Sequence, residues 1–201
     1  MLITALMAGH DPEAKTIFDG MYDYFRDHGS AIDGDLMAWF QDENCDDDRG
    51  DNSATDGDLD IAYALLLADK QWGSCGRIDY RAEALSIIES IREHDVSPSA
   101  EWTLLGDWVP GSSERFRKST RTSDHMTGHF TTFESATGHA DWGTLVQGSY
   151  DVRQLRRAGA HPVKRQSADR PRARLHRGCR HRSDAGRQPA RGRERRRLRL
   201  Q

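Results

Sequence analysis

Apolar residues over the first 150 positions recur at helical rather than strand spacing. Leu2, Ile3, Ala5, Leu6 and Met7 read as the end of a first helix over 1–9. Asp11-Pro12-Glu13 then restarts the chain with an N-cap, a proline at the first helical position and an early acid. Ile17, Phe18, Met21, Tyr22 and Phe25 mark the stripe of a second helix that stops at His28-Gly29. From Ile61 to Ala68 nearly every side chain is apolar, so a third helix, over about 58–72, is apolar all round and expected to be buried on all sides. A fourth, over about 80–93, carries Ala84, Leu85, Ile87, Ile88 and Ile91. A fifth starts near Ser123 with Met126, Phe130 and Phe133 and ends at Thr137-Gly138, and a sixth starts near Ala140 with Trp142, Leu145 and Tyr150. No period-two pattern competes, so the fold class is all-α, built from helical hairpins.

The connections between these helices alternate short and long. Residues 30–55 and 95–122 are long and irregular, and loops of that length inside a compact domain are usually functional or disordered. In an up-and-down helical array alternate connections fall at one end. Both long loops, and the N-termini of the third and fifth helices with Asp56 and Asp124, are therefore expected to share a face.

Charge divides the chain. Residues 153–201 hold 17 Arg and Lys164 against Asp169, Asp184 and Glu194, a net +15, whereas the first 152 residues hold 11 basic and 29 acidic side chains, a net −18. This places a boundary near Asp151 between a folded unit, 1–152, and an Arg-rich tail, 153–201, whose lack of periodic apolar residues predicts disorder. A basic arm that binds nucleic acid is one reading of the tail. Translation of GC-rich coding DNA out of frame is the favoured one, because the composition is Arg, Pro, Ala, Gly and His with almost no Lys. No run of about 18 apolar residues suggests a membrane span, and Met1 opens onto apolar residues with no basic segment, so no signal peptide is expected. Cys45, Cys75 and Cys179 lack metal-site spacing. Cys45 and Cys75 could pair in an oxidising compartment, with free thiols the preferred reading.

The unusual chemistry lies where Asp56, Asp58 and Asp60 run into the apolar third helix. A helix N-terminus tolerates acids, yet three exceed what capping needs. A calcium loop fails on spacing: counting from Asp56, Ile61 stands where an EF-hand needs Gly and Leu67 where it needs a bidentate Glu, so no metal is expected. Two readings remain, helix caps with solvated charge, and a carboxylate at the mouth of a cleft for acid/base or sugar chemistry.

The stretch Ala54-Thr55-Asp56-Gly57-Asp58, followed by Ile61-Ala62, Ala64-Leu65-Leu66, Ala68 and Trp72, resembles the signature of glycoside hydrolase family 8, which includes endoglucanases, chitosanases, lichenases and xylanases. Leu36-Met37-Ala38-Trp39, Leu105-Gly106-Asp107-Trp108, Arg121-Thr122-Ser123-Asp124 and Thr137-Gly138 with Trp142 extend the resemblance over residues 1–152. It implies an incomplete (α/α)6 barrel and inverting hydrolysis of β-1,4-linked glycans, in which one carboxylic acid protonates the leaving oxygen and a separate carboxylate activates water. By the same resemblance the acid lies upstream of Met1 and the base beyond residue 152, so the chain as given is expected to be an inactive fragment of an endo-β-1,4-glucanase.

The resemblance makes Asp56 the catalytic residue within the chain, binding and distorting the sugar at the cleavage point and orienting the water. Asp58 and Asp60 are read as structural acids. Trp39 and Trp108, in the long loops, are candidate sugar platforms or core residues. Asp124 is either the cap of the fifth helix or a sugar contact. Trp72, Tyr63, Phe130 and Phe133 are assigned to packing, and Arg49-Gly50-Asp51 to a coincidence of composition. The implied partner is a β-1,4-linked polysaccharide, acted on by a secreted or periplasmic monomer that needs no cofactor. Chitosanase or xylanase activity and a non-catalytic glycan-binding role are the alternatives.

Overall fold

The computed structural model describes residues 1–157; residues 153–157, the start of the Arg-rich tail, continue the last helix (Asp141–Arg157) against the expected disorder, and residues 158–201, with the out-of-frame and nucleic-acid readings of the tail, lie outside the described residues. Seven α-helices form among them: α1 (Leu2–Leu6), α2 (Ala14–Asp27), α3 (Thr55–Trp72), α4 (Tyr80–His94), α5 (Glu114–Arg117), α6 (Thr127–Thr137) and α7 (Asp141–Arg157), with a 3-10 turn at Thr122–Asp124. The extended structure among these residues is two isolated antiparallel bridges, Gly29 with Met37 and Val96 with Thr103, one in each long loop.

Local signals account for most boundaries. The Asp11 carboxylate accepts from the Glu13 N–H at 2.9 Å, turning the chain into α2. Asp79 caps α4 by accepting from the Ala82 N–H at 3.0 Å. Gly138 ends α6 at φ 78°, a left-handed conformation that costs glycine little, and its N–H returns to the Glu134 carbonyl at 2.8 Å. The third helix starts three residues before its expected position, at Thr55. The Ala54 carbonyl accepts from the N–H groups of Gly57 and Asp58, and the Thr55 hydroxyl is fixed by donation to the Leu104 carbonyl at 2.9 Å. The short α5 carries no apolar stripe and was not expected from the periodicity.

Helix α3 occupies the centre, packed against α4, α1 and α6, while α6 packs on α7 and α1 on α2. Its Leu59, Ala62, Ala64, Leu65 and Ala68 are fully buried, and meet Ile87, Ile88 and Ile91 of α4 and Phe130 and Phe133 of α6 in one core. Trp142 of α7 joins through edge-on contact with Phe133. Trp72 packs edge-on against Phe18, and the half-buried Tyr63 stacks on His129 at 4.1 Å.

Six apolar residues that the periodicity assigned to helices are exposed, among them Ile3, Leu6 and Met7 at the first helix. The others are Ile17, Met21 and Tyr150, exposed because the stripes of α2 and α7 are wider than the faces those helices pack on α1 and α6. Ile3, 77% exposed, lines with Ile17, Met21, Tyr24 and Phe25 a cavity of about 830 Å³ between α1 and α2. Cys75 is a free, exposed thiol, so it does not pair with Cys45. No helix of the described residues is long and apolar enough to cross a membrane.

Candidate active site

The two long loops meet at the N-terminal end of α3. In the first, the Ala31 N–H donates to the Asp51 carbonyl, the Trp39 N–H to the Asn52 carbonyl at 3.0 Å and the Ala38 N–H to the His28 carbonyl at 2.9 Å. In the second, the N–H of Leu104 donates to the Asp95 carbonyl at 2.7 Å and that of Ser97 to the Trp102 carbonyl. Asp107 joins the loops: its buried carboxylate accepts from the Ser53 N–H at 2.8 Å and from the Ser30 hydroxyl, while its own N–H donates to Ser53 Oγ at 3.2 Å. Gly106 lets the strands of these loops touch. A methyl group there would overlap the Ser53 carbonyl oxygen and come within 3.0 Å of Trp108 Nε1.

Of the three acids at the start of α3, Asp56 and Asp60, four residues apart, lie on one side of the helix, and Asp58 points away from both. Asp56 is half-exposed at the mouth. Asp58 points inward, is 1% exposed and accepts from the Met37 N–H at 3.0 Å. Asp60 lies one turn further along from Asp56, paired with His129 Nε2 at 2.9 Å.

Arg121 organises the exposed carboxylate. Its Nη2 stands 3.7 Å from Asp56 Oδ1, its Nε donates to Asp124 Oδ2 at 3.2 Å, and Nη2 also donates to the Leu105 carbonyl at 2.9 Å. The side chains of Asp56 and Arg121 are 40% and 44% exposed, whereas that of Asp124 is completely buried. Asp124 therefore does not present a surface to a sugar in this conformation. It is not the cap of α6 either: the residue before that helix is Met126, without a side-chain capping bond. Its carboxylate instead accepts from the Ser123 hydroxyl at 2.8 Å and holds Arg121. Burial pushes the Asp124 carboxyl above the usual carboxylate range, opposed by the charge of Arg121 and the Ser123 hydrogen bond. Arg121 belongs to the Arg121-Thr122-Ser123-Asp124 motif but carries no role by sequence alone; its signal is a cation three residues before an acid.

The tryptophans sit in the loops that flank this end. Trp39 is 57% exposed, tilted against Phe40 at 5.5 Å, and Gly50 leaves room for both rings. Trp108 is half-buried and packs edge-on against Phe116 at 5.2 Å. Trp39 thus presents an open ring face and Trp108 a partly covered one. Among the described residues no group of three or more His, Cys, Asp or Glu side chains has the geometry to hold a metal ion.

The sequence profile described as "Glycosyl hydrolases family 8" matches residues 2–163, eleven residues past the expected boundary at 152. A "Beta-glucanase" of Niallia circulans is 48% identical over 153 residues, covering 76% of this chain and 37% of the relative. An "Endoglucanase" of Bacillus sp. (strain KSM-330) is 43% identical, covering 76% of this chain and 32% of the relative. The solved apo structure of a beta-1,3-1,4-glucanase from Paenibacillus sp. X4 superposes with a TM-score of 0.73 at 46% identity, over 76% of this chain and 40% of that one. The xylose complex of Rex8A from Paenibacillus barcinonensis, at 20% identity and a TM-score of 0.60, shares the fold. The chain thus spans about two-fifths or less of the length of these relatives. With its profile match, its close relatives and its helical hairpins arranged as part of a helical barrel, the chain belongs to family 8 of the glycosyl hydrolases.

Proposed function

We propose that this chain forms one wall of the substrate cleft of an inverting endo-β-1,4-glucanase, acting on cellulose or a related β-glucan. The observation that carries the reading is the Asp56–Arg121–Asp124 arrangement at the end of α3 that the Trp39 and Trp108 loops also border, in a chain 48% identical to a beta-glucanase. In this reading Asp56 accepts hydroxyl hydrogens from the sugar at the cleavage point and orients the attacking water. Arg121 sets the rotamer of Asp56, and the buried Asp124 acts through Arg121 rather than by touching sugar. Trp39, and to a lesser degree Trp108, offer ring faces on which a pyranose stacks. The enzyme works outside the cytoplasm as a monomer, where its polymeric substrate lies, and requires no metal or cofactor.

Hydrolysis with inversion needs a general acid and a general base on opposite faces of the sugar. By the family resemblance both lie outside residues 1–152. The purified 201-residue chain is therefore expected to bind cello-oligosaccharides without cutting them. A reducing-sugar assay on carboxymethylcellulose and on mixed-linkage β-glucan checks the second half, and turnover would refute it. Calorimetric titration with cellohexaose checks the first. Absence of binding, or binding unchanged in Asp56→Asn and Trp39→Ala, would refute the placement of the cleft.

A further inference from the structure

Beneath the turn that carries Asp56 lies a pair of buried carboxyl groups. Asp58, on the first turn of α3, and Asp95, the residue that closes α4, are 1% and 0% exposed. One oxygen of Asp58 accepts from the Met37 N–H, beside Trp39. Asp58 Oδ2 and both side-chain oxygens of Asp95 have no donor. The two carboxyls lie within hydrogen-bonding reach of each other. As two carboxylates they would have no hydrogen to place between them, and each would be a buried charge facing another of the same sign. The charged groups acting on the pair do not relieve this. Asp107, from the second long loop, bears on both, and Asp124, from the 3-10 turn, bears on Asp95; both are acidic, and the Met37 N–H and Ser53 hydroxyl, which favour the charged form of Asp58, are outweighed by burial.

We infer that Asp58 and Asp95 share one proton, a carboxylic acid donating to a carboxylate, and that this bond clasps the ends of α3 and α4 so as to hold the turn carrying Asp56 in place. The two are positioning residues. Each is tied to one of the loops, Asp58 through its side chain, which accepts from the Met37 N–H, and Asp95 through its backbone carbonyl, which accepts from the N–H of Leu104, one residue before the Leu105 carbonyl that Arg121 engages. Loss of the proton to solvent leaves two facing carboxylates and opens the clasp. Burial is the main cause that pushes the Asp58 carboxyl up to about 7, and burial followed by the Asp58 charge pushes Asp95 well above the usual range. The folded pair keeps a proton that the unfolded chain gives up near pH 4, so the clasp is strongest in acid and weakens as pH rises through the raised range of the pair. Its consequence for sugar binding rests on the reading of Asp56 given above; the proton itself is testable without sugar.

The test uses the 201-residue chain labelled with carbon-13 at its aspartate carboxyls. Wild type is expected to show an aspartate carbon titrating near neutrality, and Asp58→Asn and Asp95→Asn to lack it. A wild-type chain in which no aspartate titrates above about pH 6 overturns the proposal, whatever the variants do. Thermal unfolding supplies a second readout. The wild-type midpoint should fall between pH 5 and pH 8, while Asp95→Asn, whose amide supplies the missing hydrogen at every pH, should hold level. Asp95→Asn following the wild-type slope would overturn the shared proton. A titrating carbon in a chain with no measurable oligosaccharide affinity supports the pair and removes only the glycan reading.

Discussion

Replacing Arg121 by Met separates the two carboxylates it serves. The Asp56–Arg121 contact, at 3.7 Å with both side chains two-fifths exposed, is screened by water and contributes about 0–1 kcal/mol. The Arg121–Asp124 bond differs, because Asp124 is completely buried and would keep only the Ser123 hydroxyl as a side-chain donor. Charge-assisted hydrogen bonds contribute about 1.5–3 kcal/mol, and stranding a buried charge costs about 3–5 kcal/mol. Part of that is relieved by protonation, since the Asp124 carboxyl already sits above its ordinary range. Arg121→Met should therefore lose about 3 kcal/mol at pH 7 and Asp56→Asn less than 1 kcal/mol. Removing the cation raises the folded-state value of Asp124 further above its unfolded one. The variant then takes up a proton on folding, so its deficit is largest near neutral pH and shrinks as pH falls towards 4. Guanidinium unfolding followed by circular dichroism, repeated at pH 5 and pH 7.5, measures both quantities. Adding Asp124→Asn to Arg121→Met should recover stability, because a neutral amide is cheaper to strand than a charge. Equal losses in Arg121→Met and Asp56→Asn, or a deficit that grows in acid, would refute the assignment of Asp124 as the buried anchor of Arg121.

Other substitutions probe the scaffold and the cleft separately. Gly106→Ala forces a methyl into the Ser53 carbonyl and should destabilise by about 2–3 kcal/mol while loosening the Asp107 bonds, measured as lost amide protection at Ser53 and Asp107. Trp39→Ala removes an exposed ring, so unfolding should change by less than about 1 kcal/mol. The same change should weaken cellohexaose binding by roughly 2–12-fold in calorimetry, the range for one stacked aromatic. Leu65→Ala, at a fully buried position of α3, should cost about 2–5 kcal/mol in chemical unfolding and leave the oligosaccharide affinity of the folded fraction unchanged.

Much of this protein is written locally. The apolar run Ile61–Ala68 reads as a buried helix, and α3 lies at the centre for that reason, with only the Tyr63 and Leu67 face half-buried. Alternating loop lengths predicted that Asp56 and Asp124 would share an end, and Arg121 bridges them there. The motif around Asp56 carried the family. What sequence did not reveal is burial decided by partners far along the chain. Asp58 and Asp60 look alike in the sequence, yet one meets the Met37 N–H beneath the first long loop and the other meets His129. Asp124 reads as a helix cap until the 3-10 turn at Thr122–Asp124 folds it under Arg121. Asp95 was not distinguished at all, since a carboxyl at a helix end is ordinarily solvated. Hydrophobic period and turn residues act over a few positions, so they determine the helices, their order and the shared end. The direction and protonation of a carboxyl depend on which distant groups exclude water from it, and only the tertiary packing of α3 against α4 and the two long loops decides that.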